Sequence, residues 1–208
     1  VQTCALPISI NGSEKSAPTP YQVNQYFDKH GNQLQNQQLQ PLAWNYSNNL
    51  QKVITRKHQD GTCDAEYYVY DGRGQRVRKV REQYEEGGES VTITETLYLG
   101  NLEIHRTRKG KDPASATLQE EYHSLRVMDD QQCVVTRDHW VVGDPPSDFA
   151  DPTWRYHLSD HLGSCTTEVN DKGQQISHEE YSPYGNSTFF IGKGSKLKHY
   201  RYSGEEQD

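Results

Sequence analysis

Hydrophobic and polar positions along this chain alternate in short runs, and each run stops at a cluster of turn formers. The pattern is clearest over residues 154–185, WRYHLSDHLGSCTTEVNDKGQQISHEEYSPYG. Extended runs at 154–158, 164–169 and 174–181 meet turns at 159–163, 170–173 and 182–185. Each turn ends in a Gly, which takes a positive φ without a Cβ clash, preceded by Asp, Asn or Pro. Strands closed by turn signals at this spacing predict an antiparallel meander.

The rest of the chain follows the same plan. Asp60-Gly61 predicts a hairpin between Val53-Ile54-Thr55 and Tyr67-Tyr68-Val69-Tyr70. Residues 91–99, VTITETLYL, are rich in β-branched side chains and read as a strand that Gly100-Asn101 turns into 102–107. Residues 120–128 and 133–142 read as a hairpin around 129–132. Residues 9–20, 82–90 and 109–116 read as loops, and 143–152 as a Pro-rich break.

A short repeat marks several turns. Phe27-Asp28-Lys29-His30-Gly31, Trp44-Asn45-Tyr46-Ser47-Asn48 and Tyr70-Asp71-Gly72-Arg73-Gly74 share one form: aromatic, Asp or Asn, two variable residues, then Gly or Asn. The aromatic can pack on the sheet, the Asp or Asn side chain can bond its own backbone, and the last residue accepts the left-handed conformation. One hairpin per repeat predicts an array.

Composition narrows the picture. Only 32% of the 208 residues are hydrophobic and 25% are charged, poor material for a thick core. Disordered chains are poor in aromatics, however, and this one carries 14 Tyr, 3 Trp and 4 Phe. The combination predicts an ordered sheet with two wet faces, or a piece of something larger. A net charge of -7 gives no electrostatic case for nucleic acid. No apolar run is long enough to span a membrane, and no signal peptide is visible. Residues 1–8, VQTCALPI, match the translation of the end of a common short-read sequencing adaptor and are expected to be non-native. Cys4 is then set aside, and Asp208 is expected to be a broken end of the reading frame.

The repeats resemble the YD repeats of Rhs proteins, of the C components of insecticidal toxin complexes and, more distantly, of teneurins. Further segments add to the resemblance. YLGNLEIHR at 98–106 is similar to the opening of the Rhs-associated core. RYHLSDHLGS at 155–164 and EEYSPYG at 179–185 are similar to its signature, with Ser182 where many relatives have Asp. RYSGEEQD closes the chain, and the resemblance covers Tyr21 to Asp208. It implies 21–81 as a YD-repeat segment, 91–208 as the upstream part of the core and 9–20 as a linker. The implied fold is all-β, a hairpin array forming a segment of a spiral, hollow shell. The implied function is a non-enzymatic scaffold, secreted or delivered within a toxin complex, that encapsulates a C-terminal effector. Implied partners are the remaining shell segments, the toxin cargo and, in toxin complexes, a B component and translocation pore. Two alternatives stand beside it: the upstream part of an aspartate-dependent self-cleaving core, and an adhesive or carbohydrate-binding module. The family's cleavage region surrounds an Asp-Pro-x-Gly sequence. Asp112-Pro113, Asp144-Pro145 and Asp151-Pro152 do not continue that way, so no catalytic residue is assigned.

Candidate chemistry is sparse. His157, His161 and Cys165 would align as metal ligands on a helix, but Gly163 and the turn pattern argue for strand and turn residues instead. His178-Glu179-Glu180 beside Asp171 would serve as an acid–base set only in a pocket, and an alternating strand needs none. Cys63, Cys133 and Cys165 fit no metal or disulfide spacing. Residues 67–70 form a carbohydrate platform or, more simply, pack on the sheet. No metal or cofactor is expected.

Overall fold

The sequence alternation becomes one sheet. A computed structural model describes residues 26–35, 41–130, 132–147, 149–192, 197–204 and 206. The expectations for residues 1–8, for the linker at 9–20, for Cys4 and for Asp208 lie outside the described residues.

The strands are β1 (Leu42–Trp44), β2 (Leu50–Lys57), β3 (Cys63–Tyr70), β4 (Arg76–Tyr84), β5 (Val91–Leu99) and β6 (Leu102–Gly110). They continue as β7 (Thr117–Asp129), β8 (Gln132–Val142), β9 (Thr153–Ser159), β10 (Cys165–Val169), β11 (Gln175–Tyr181) and β12 (Ser187–Gly192). All lie in one 12-stranded sheet in sequence order, each antiparallel to the next. The expected all-β meander is observed. The sheet passes from β4 to β5 without a break, with Arg78 opposite Leu97 and Tyr84 opposite Val91.

One five-residue loop recurs between the strands, and its chemistry explains the repeat. At residues 28–32, 45–49, 71–75, 160–164 and 170–174 the first amide donates to the fifth carbonyl, and the fourth amide donates back to the first. The side chains of Asp28, Asn45, Asp71, Asp160 and Asn170 each accept from the third and fifth amides. The fourth residue has a positive φ, 79° at Gly74 and 61° at Asn48, which is why Gly or Asn stands there. An Asp or Asn at the first position has a short side chain whose acceptor reaches both amides at once. The same backbone loop forms at 58–62 and 182–186.

Two expectations are revised and one unpredicted strand is found. Residues 82–84 belong to β4, not to a loop, and the Tyr84 amide is anchored 2.8 Å from Asp64 Oδ1. Residues 109 and 110 likewise continue β6 opposite Thr117 and Val91. A further strand, β12, pairs with β11 from Ser177 to Tyr181.

The apolar core is as thin as the composition predicts. Leu42, Val53 and Tyr68 form one cluster, and Tyr122, Trp140 and Leu197 another. Most other buried side chains are polar or charged. Residues 197–204 and 206 fold back across one face of the sheet and cover several of them, Glu103, His105 and Glu179 among them, so that face is not wet as expected.

Candidate functional site

Directly opposed residues on antiparallel strands share a face. The pairs Glu103–Ser124–Asp138, Thr136–Arg155 and His157–Glu168–Ser177 therefore form a polar row on one face from β6 to β11. Arg155 sits at its centre. Its Nε donates to Asp138 Oδ2 at 2.9 Å and its NH1 to Glu168 Oε1 at 2.6 Å. Ser124 donates to Asp138 at 2.6 Å, and Ser177 to Glu168 at 2.5 Å. Side-chain exposure is 4% for Arg155, 0% for Asp138 and 1% for Glu168. Burial opposes the charge on Arg155, but Asp138 and Glu168 outweigh it and raise its pKa. Burial likewise opposes ionisation of Glu168, and Arg155 with Ser177 outweighs it, holding the carboxyl below its ordinary value.

Residues 197–204 and 206 close over this row by specific contacts. Lys198 Nζ lies 3.0 Å from Glu179 Oε2, and Arg201 donates to Glu179 Oε1 at 2.6 Å. Tyr200 donates to Glu103 at 2.5 Å and carries the Arg126 guanidinium 3.5 Å above its ring. His199 stacks on His105 at 4.6 Å, and its Nε2 lies 2.8 Å from the Tyr122 hydroxyl. Glu206 accepts from Tyr98 at 2.7 Å and pairs with Arg76. The strap also extends the backbone network: the Cys165 amide donates to the Arg201 carbonyl at 3.0 Å, and the Ser203 amide to Ser164 Oγ. Burial, followed by the nearby His105, pushes His199 down to about 3, so it is neutral in the fold.

No protein-family model matches the chain. It is 32% identical over 189 residues to toxin subunit YenC1 of Yersinia entomophaga, covering 89% of this chain. It is also 32% identical over 195 residues to toxin subunit YenC2 of the same organism. The chain spans 19% of the length of each. It superposes on the crystal structure of TcdB2-TccC3 with a TM-score of 0.78 at 30% identity, covering 91% of this chain and 9% of that one. The TcdB2-TccC3-Cdc42 structure gives 0.77 at 31% identity, with the same coverage. This chain is related to the Rhs/YD-repeat toxin subunits.

In this sheet the residues singled out from sequence are partly gathered and partly dispersed. His157 on β9 and Cys165 on β10 do come together, through strand pairing and not a helix, and Glu168 joins them. His161 stands in the exposed loop between those strands, beside the same cleft. The acid–base set comes apart: Glu179 is buried under the strap, while His178 faces the other way toward Phe189 and Glu180 is 64% exposed. Asp171 is exposed in its loop. Cys63, Cys133 and Cys165 are free thiols. Residues 67–70 make no continuous aromatic platform, because Tyr68 packs into the first apolar cluster while Tyr67 bonds Glu82. Sequence reasoning missed Arg155, Asp138 and the strap. The available signal was an Arg flanked by Trp154 and Tyr156 in an alternating strand, which sets the charge on one face and the two aromatics on the other.

Proposed function

We propose that this chain is a stretch of wall in a toxin-complex shell, acting as a non-enzymatic scaffold around a C-terminal effector. The observation that carries the reading is the meander itself. Among the described residues twelve strands pair only in sequence order and end at β1 and β12 without closing on themselves. Such an array suits a wall continued by further strands on either side, since closure removes edges that invite aggregation. The relatives named as toxin subunits support this reading. By the same resemblance, the partners are the neighbouring shell segments, the effector, a B component and a translocation pore. Delivery within a toxin complex follows from them, and among the described residues no helix is long and apolar enough to cross a membrane.

The reading is tested by limited proteolysis of the full-length gene product. A C-terminal region enclosed by the wall resists protease under conditions that digest the same region expressed alone. Equal rates of digestion in the two settings would overturn enclosure.

A further inference from the structure

We propose that His157, Cys165 and Glu168 bind one divalent transition-metal ion of the zinc type, reached through the adjoining cleft. This inference stands apart from the shell reading.

The geometry begins with a β-bulge. Cys165 and Glu168 are three apart and would point to opposite faces of a regular strand. The register of β10 against β9 shifts between Cys165 and Thr167, which turns both side chains to the covered face. There they meet His157, whose Nε2 lies 3.9 Å from Glu168 Oε1. One ligand atom from each residue lies within 4.8 Å of the other two. Metal–ligand bonds of about 2.0–2.3 Å place tetrahedral ligands about 3.5 Å apart. Small rotamer adjustments therefore close the set on an ion.

The surroundings support ligation. All three groups sit on strands, which hold a site more firmly than loops. Glu168 is oriented by Arg155 and Ser177 and still has free lone pairs, because a carboxylate offers about four acceptor sites. The neighbouring cations Arg155 and Lys198 are each held by a carboxylate other than Glu168, namely Asp138 and Glu179. A cleft of about 210 Å³ opens beside the trio, lined also by Cys133 and His161. It leaves a fourth position for water or for one of those side chains. One thiol, one imidazole and one carboxylate select zinc-like ions over magnesium or calcium. On binding, the Cys165 thiol releases its proton to solvent as the sulfur–metal bond forms, and His157 exchanges its contact with the Thr136 hydroxyl, 2.9 Å away, for the ion.

The test uses the full-length gene product, stripped with chelator and titrated with cobalt chloride and zinc chloride. The expected result is one equivalent of cobalt with a thiolate-to-metal charge-transfer band and the strong visible bands of a tetrahedral site. Cys165→Ser abolishes the charge-transfer band, His157→Ala weakens binding by about tenfold or more, and Cys63→Ser changes neither. If Cys165→Ser fails to fold, zinc X-ray absorption on the wild type decides, and must show a sulfur in the coordination sphere. Folded wild type without stoichiometric binding, a band that survives in folded Cys165→Ser, or a sulfur-free zinc shell would each overturn the site.

Discussion

Arg155→Ala costs the fold about 3–5 kcal/mol, the price of leaving buried charges without their partner. Among the described residues Arg155 is the only side chain that joins Asp138 to Glu168, and both carboxylates are essentially inaccessible to water. Truncation removes two charge-assisted hydrogen bonds and opens space in a layer with little apolar packing to compensate. Ser124 and Ser177 remain as donors, but neither carries charge. Glu168, whose carboxyl Arg155 helps hold below its ordinary value, then retains a proton to higher pH. Urea denaturation in the presence of chelator, which keeps any metal out of the comparison, measures the loss. Adding Asp138→Asn to Arg155→Ala recovers part of it, since one unpaired charge is gone. A loss below about 1 kcal/mol, typical of an exposed ion pair, would contradict the buried network.

Acid loosens the strap before it unfolds the sheet as a whole. His199 titrates near 3 in the fold and near 6.5 when unfolded. Between those values the unfolded chain binds more protons, so stability falls as pH drops, by up to about 1.4 kcal/mol per pH unit. From pH 6.5 to 4.5 the loss from this group is roughly 2–3 kcal/mol. The groups that face it are His105 and Glu103 on β6, Tyr122 on β7, Arg155 on β9 and Lys79 on β4. His157, pushed down to about 4 by burial and then by Arg155, adds a term of the same sign. Glu103 and Glu179 have lowered values despite burial, so their contribution persists to lower pH and is lost only below the ordinary carboxylate range. Hydrogen exchange of residues 197–204, followed between pH 7 and 4.5, reads the loosening directly. His199→Gln flattens that dependence. An unchanged slope in the variant would place the sensitivity elsewhere.

The turns were legible because their chemistry is local. An Asp or Asn that bonds amides two and four residues on, followed by a residue with positive φ, fits within five residues, as at 71–75 and 170–174. Strand ends were less legible. Residues 82–84 look like loop because they are polar, yet the Tyr84 amide is held by Asp64, 20 residues away. β12 was missed because Phe189-Phe190-Ile191 is a short apolar run without alternation. The polar layer was least legible. Alternation separates the two faces of β9, but does not say which one is covered. Trp154 and Tyr156 are 40% and 38% exposed while Arg155 is 3% exposed, because the covering strap arrives from more than 40 residues downstream. The spacing of His157 and Cys165 suits a helix, and these residues lie on strands. A bulge brought them together instead, with Glu168 in place of His161.

Electron cryo-microscopy of the full-length gene product tests the central claim most directly. The account predicts further antiparallel strands beyond both β1 and β12, continuing the sheet into a closed wall with residues 197–204 and 206 strapped across one face. A map in which the sheet ends in solvent at both strands, with nothing enclosed, would contradict it.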